Sequence, residues 1–135
     1  PLVTGVQTWA LPIFDLVFAG LLGAGGVTDA ALAMHVTGGG PLGAAAEIMM
    51  VHAAAIVGLV ALRRGDRFAP NLVGKIALAM GVAAAIFGGD VTLVTFTGAR
   101  LFPYAAPVGG TALILCWLAL AYLVVAGRMV RPPAP

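Results

Sequence analysis

Charge is what this chain has least of. Only 9% of its 135 residues are Asp, Glu, Lys or Arg, where a soluble domain carries about 25%. A water-facing surface on a fold of this size needs far more polar side chains. The shortage therefore excludes an ordinary cytosolic enzyme, a disordered chain and a nucleic-acid binder. Seven basic against five acidic residues leave a net charge of +2, which reflects scarce acid rather than a basic patch. Cysteine is just as scarce. Cys116 stands alone, so there is no disulfide framework and no CxxC pair for zinc or redox chemistry. No nucleophile stands with a base, and no nucleotide-binding loop or long soluble domain is present, so no enzymatic activity and no cofactor are expected.

What is abundant is apolar: 61% of the residues are hydrophobic and the mean hydropathy is +1.08. A membrane-spanning helix needs roughly 20 such residues, because the hydrocarbon core is about 30 Å thick and the helix rises about 1.5 Å per residue. Four segments qualify, at about Phe14–Ala33, Ala44–Leu62, Leu72–Thr97 and Pro103–Gly127. Between them lie Thr37-Gly-Gly-Gly-Pro41, the polar turn Arg63-Arg-Gly-Asp-Arg67 before Pro70, and Gly98-Ala-Arg100 before Pro103. Glycine is too free, and proline too poor in donors, for a helix to run through these breaks. Period-two alternation, the mark of a transmembrane β-barrel, is absent from runs such as Ala112–Ala121. The expected fold is all-α: an integral membrane four-helix up-down bundle with short turns over residues 14–127.

Four spans put both termini and the second turn on one side. That side holds Arg63, Arg64, Arg67, Lys75, Arg128 and Arg131, and the other holds only Arg100. Positive residues mark the cytoplasmic face, so both termini, with a short tail at 128–135, are expected in the cytoplasm. Residues 1–13 stand apart from this scheme. Val3–Thr8 and Ala10–Ile13 resemble an in-frame translation of a common sequencing adapter, with Trp9 where that peptide carries Cys. They are read as non-native and carry no functional argument.

In the third segment Ala77, Gly81, Ala85 and Gly89 recur every four residues. Such a ladder of small residues lets backbones approach closely, which is what holds helices together in lipid. It is expected to be a packing seam inside the chain, with a homodimer seam as the alternative. Pro107, Gly109 and Gly110 are expected to loosen or kink the fourth helix and to let another backbone approach. Tyr104 suits an anchor at the outer surface, with Phe102 packed beside it.

Ionisable residues within a span are functional candidates, since burying charge in lipid is costly. Asp15, near the cytoplasmic start of the first helix, reads as a solvated terminal charge at the positive end of the helix dipole. Asp29, Glu47 and Asp90 all fall toward the outer boundary, near Arg100. Asp90 lies ~27 Å along the third helix from Leu72. A polar rim is the leading expectation for this group, and a proton, cation or metal site is the alternative. His52 is deeper and about 140° round the helix from Glu47, so the two do not share a face. It does share one with Met49. Met and His suit soft or borderline metals such as copper, and Met34-His35 adds a second pair at the outer turn. Yet methionine also fills cores, and no ligand set of standard spacing occurs. The expected state of His52 is a neutral ring bonded to a neighbouring helix, with no metal bound; His35, Met49 and His52 are the ligand candidates otherwise.

Three stretches carry a family resemblance. Pro107-Val-Gly-Gly110 followed by Trp117 is similar to a P-[VI]-G-G…W pattern. Phe87-Gly-Gly89, running through Leu93 to Thr97-Gly98 and Arg100, is similar to an F-S-G-S-x-Y-x-L-x-L-T-G segment. His52 followed by Ala53 to Leu59 resembles Y-H-x-L-A-L. These belong to the small bacterial inner-membrane family called domain of unknown function 423, related to eukaryotic transmembrane protein 256. The chain departs from the pattern at Asp90 (Ser in the family), Thr92 (Tyr) and Met49 (Gln). It also has Gly25–Ala30 in place of G-A-F-G-A-H. The resemblance implies a compact four-helix membrane protein of the bacterial inner membrane, with Pro107, Gly109, Gly110 and His52 as family positions; the family has no established activity to carry over, and the resemblance does not say what these residues do.

The function expected from these readings is that of a small non-catalytic membrane protein, free-standing or an accessory subunit of a membrane complex. Its partners would be the lipid bilayer and a membrane protein or a second copy. A proton- or cation-coupled transporter using the outer acids is one alternative, although the first helix is free of charge from Leu16 to Thr28. A metal- or haem-binding membrane protein is the other.

Overall fold

A computed structural model describes residues 2–65 and 68–127, with side chains described from residue 12 onward. Four α-helices follow one another: α1 (Leu2–Leu32, extended by a π-helical turn over Ala33–Thr37), α2 (Pro41–Arg63), α3 (Pro70–Thr97) and α4 (Ala105–Val125). No strand occurs among the described residues. All four helices contain a stretch long and apolar enough to cross a membrane, with mean hydropathies of 1.6, 2.0, 1.8 and 2.2 in chain order. The protein is an all-α, multi-pass membrane bundle. Arg67, Arg128, Arg131 and the tail 128–135 lie outside the described residues.

The helix ends differ from the expected ones for local reasons. α2 and α3 begin on Pro41 and Pro70, ahead of Ala44 and Leu72. Proline is suited to a first helical position, where its missing N–H would have had no partner and its fixed φ already matches the helix. α3 closes on Gly98, whose φ of 71° lets its N–H bond back to the Val94 carbonyl at 2.9 Å. α4 starts at Ala105 rather than Pro103 because Tyr104 is held left-handed, at φ 65°. The backbone of α1 is helical back to Leu2, while its membrane-length apolar part starts at Pro12.

α1, α2 and α3 pack on one another, whereas the α4 backbone closely approaches only α3. Side chains follow the alternating helix directions: Asp15 on α1 meets Arg63 at the end of α2, as antiparallel neighbours require, and Asp29 meets Thr92, both toward the C-terminal ends of the parallel helices α1 and α3. The core runs through Leu42, Ile56, Val60, Val73 and Met80, all essentially inaccessible. α4 is peripheral. Only 11% of its most apolar stretch is buried inside the protein, against 44% for α2 and α3.

The ladder on α3 is only half right as a seam. Ala77 and Gly81 are buried, but Ala85 and Gly89 are half-exposed. Steps of four residues advance about 400° and so drift ~40° per step off a face. The positions that stay inside are Ala77, Gly81, Ala84 and Gly88. A methyl on Gly81 would overlap the Phe18 ring of α1, and one on Gly88 would overlap the Met49 thioether of α2. The seam therefore lies within the chain.

Candidate functional site

Asp90 is the most buried charged residue among the described ones, with no accessible surface. Its carboxylate accepts three hydrogen bonds: from the Leu101 N–H at 2.9 Å, the Ala106 N–H at 3.2 Å and the Arg100 guanidinium at 3.0 Å. Ala106 belongs to the first turn of α4, whose N-terminal amides have no partner within the helix. Tyr104, in the cap position, supplies no side-chain bond. Asp90 thus caps α4 from the neighbouring helix, and Arg100 balances its charge. Pro107 stands in the same first turn, where no intrahelical N–H bond is lost. α4 runs on unbroken from it to Val125. Gly109 does admit a second backbone: a Cβ there would lie 2.7 Å from the Phe87 nitrogen and 2.8 Å from the Ala83 carbonyl oxygen. Gly110 faces only the Phe87 ring, at 3.6 Å.

Asp29 is also buried, 4% exposed, and its carboxylate is bonded to the Thr92 hydroxyl at 2.6 Å. The same hydroxyl lies 2.8 Å from the Gly88 carbonyl oxygen. Asp29, Asp90 and Arg100 lie at one end of the bundle, where α1 and α3 finish and α4 begins. Glu47 is exposed and takes no part in these bonds. A cavity of about 580 Å³ opens beside Asp90 and Arg100, between Pro41 on α2, Val91 and Val94 on α3, and Pro103, Tyr104 and Pro107. Tyr104 and Phe102 are exposed at this end, 75% and 41%.

His52 lies deeper, 4% exposed. Its Nδ1 is 2.7 Å from the Ile48 carbonyl oxygen, and its Nε2 is 3.1 Å from the Trp117 indole nitrogen. A carbonyl only accepts and an indole N–H only donates. The proton is therefore on Nδ1, and Nε2 receives the bond from Trp117. The two rings meet edge to face, with centroids 6.1 Å apart. Both ring nitrogens are used, so a metal at His52 would have to displace either Trp117 or the helix carbonyl. Met49 points against Gly88, and His35 is exposed. Among the described residues no group of three or more His, Cys, Asp or Glu comes together.

At the other end Asp15 and Arg63 form an ion pair at 2.7 Å, with side chains 12% and 11% exposed. Asp15 is thus not a solvated terminal charge. The Arg63 guanidinium lies over Gly74, which leaves it room on α3.

Comparison with families supports the resemblance read from Pro107–Gly110, Phe87–Arg100 and His52. The family described as Protein of unknown function (DUF423) matches residues 30–110, more than half of the chain. The chain belongs to the DUF423 family. Comparison with the curated proteins and with the solved structures gives no match. In this DUF423 protein the matched stretch contains His52, Asp90, Arg100 and Gly109, but neither Asp29 nor Trp117. Two partners of the buried polar groups were missed from sequence: Thr92 for Asp29, and Trp117 for His52. Thr92 carried a signal, since it and the Asp29 segment are both departures from the family pattern, and they meet across α1 and α3. Trp117 carried one too, as an indole too deep to anchor at a membrane surface.

Proposed function

We propose that this DUF423 protein is a non-catalytic membrane protein of the bacterial inner membrane, acting as an accessory subunit of a larger membrane complex with both termini in the cytoplasm. One observation supports this most. The ionisable side chains buried between the helices are bonded within the chain itself: Asp15 to Arg63, Asp29 to Thr92, His52 to Ile48 and Trp117, and Asp90 to three donors. In a membrane such groups are the usual carriers of chemistry; here they join one helix to the next. α4, attached along one flank, leaves most of its apolar surface to lipid or to another span.

The test is cross-linking in intact membranes, followed by mild solubilisation and native mass measurement of the full chain. The expected result is a heteromeric complex containing another integral membrane protein. Recovery of this chain only by itself, cross-linked and uncross-linked alike, would overturn the accessory role.

A further inference from the structure

Beside the Gly109 contact an apolar groove of about 390 Å³ runs along the flank of α3, between Ala79, Val82 and Ile86 on α3 and Val108 and Ala112 on α4. Its only polar lining residue is Lys75, at the end where α3 begins. At ~1.5 Å per residue, Lys75 to Ile86 covers ~16 Å. That is the depth of one leaflet, half of a hydrocarbon core about 30 Å thick. The groove is open along its flank, and its walls are apolar side chains of two helices.

We propose that this groove holds one acyl chain of an anionic phospholipid from the leaflet at the Lys75 end, with the lipid phosphate on the Lys75 ammonium. Charge placement favours that occupant. The neighbouring Arg63 is already paired with Asp15 at 2.7 Å, so among the described residues Lys75 is the cation that lines the groove. The ammonium stands at one end of the groove and the other lining side chains offer only methyl and methylene groups, which matches a lipid in both polarity and length. The site goes beyond the accessory-subunit reading and does not depend on it.

The experiment is native mass spectrometry of the full chain in mild detergent, titrated with dioleoyl phosphatidylglycerol and dioleoyl phosphatidylcholine. The wild type is expected to retain one phosphatidylglycerol with about fivefold preference, in line with ~1 kcal/mol for one cation near an anionic surface. Lys75→Gln should bring that preference close to one while keeping a bound lipid. Ala79→Phe and Val82→Trp, both at exposed positions facing open groove, should lose the retained lipid of either kind without losing helical content. An unchanged preference in Lys75→Gln would overturn the proposal, as would unchanged retention in both groove-filling variants. Displacement of the lipid by inorganic phosphate alone would also overturn it, because the tail would then contribute nothing.

Discussion

Asp90 does for α4 what a Ser or Asp in the cap position usually does, but from a different helix. Its removal leaves the Leu101 and Ala106 amides without their acceptor. Each buried donor left without a partner costs about 1–3 kcal/mol. Arg100 is in another position: its side chain is 54% exposed, so water replaces much of what the pair supplies. Asp90→Ala should therefore lower stability by about 2–4 kcal/mol, and Arg100→Gln by no more than about 1 kcal/mol, in reversible unfolding in detergent micelles. Equal losses in the two variants would show that charge balance, not capping, is the role of Asp90. The candidate acids were legible in the sequence because ionisable residues stand out in apolar runs. What each one binds was not, because Leu101 and Ala106 contribute main-chain amides that no side-chain pattern reveals. Thr92 likewise looks like any threonine until α1 brings Asp29 to it.

At the scale of the helices, the contact between α3 and α4 rests on the absence of one methyl group. A Cβ on Gly109 meets main-chain atoms of Ala83 and Phe87, and a backbone cannot turn aside as a side chain can. Gly109→Ala is expected to cost about 1–3 kcal/mol as α4 is pushed off α3. Gly110→Ala, one residue on, meets only the Phe87 ring at ordinary contact distance. It should be neutral or stabilising, since alanine is the better helix former by about 1 kcal/mol. Thermal unfolding of the two variants side by side checks this, and a loss in Gly110→Ala as large as in Gly109→Ala would contradict it. The two glycines are indistinguishable as letters in Pro107-Val-Gly-Gly110. Only the rotation of α4 about its axis separates them. The same holds on α3, where the every-four ladder named Gly89 and the packed position is Gly88.

For the whole molecule, the antiparallel order puts Arg63, Arg64 and Lys75 at one end and Arg100 at the other. In a Cys116→Ser background, a cysteine replacing Ala99 should react with a membrane-impermeant maleimide added to intact spheroplasts. One replacing Arg64 should react only after the membrane is opened. The opposite pattern would invert the topology. Neither variant touches the buried bonds, as both positions are exposed turn residues.

The sequence by itself determined that there are four membrane helices and about where they stop. Span length and the cost of bare backbone in lipid leave few alternatives, and glycine and proline mark the turns through local sterics alone. Only the tertiary structure decided that the α4 backbone rides on α3, that Asp90 serves α4, that Trp117 reaches across to hold His52 on α2, and that Asp15 is paired. In a chain apolar on every side, no hydrophobic face shows which way a helix points. Its rotation is set by close packing and by a few polar bonds between residues far apart in sequence.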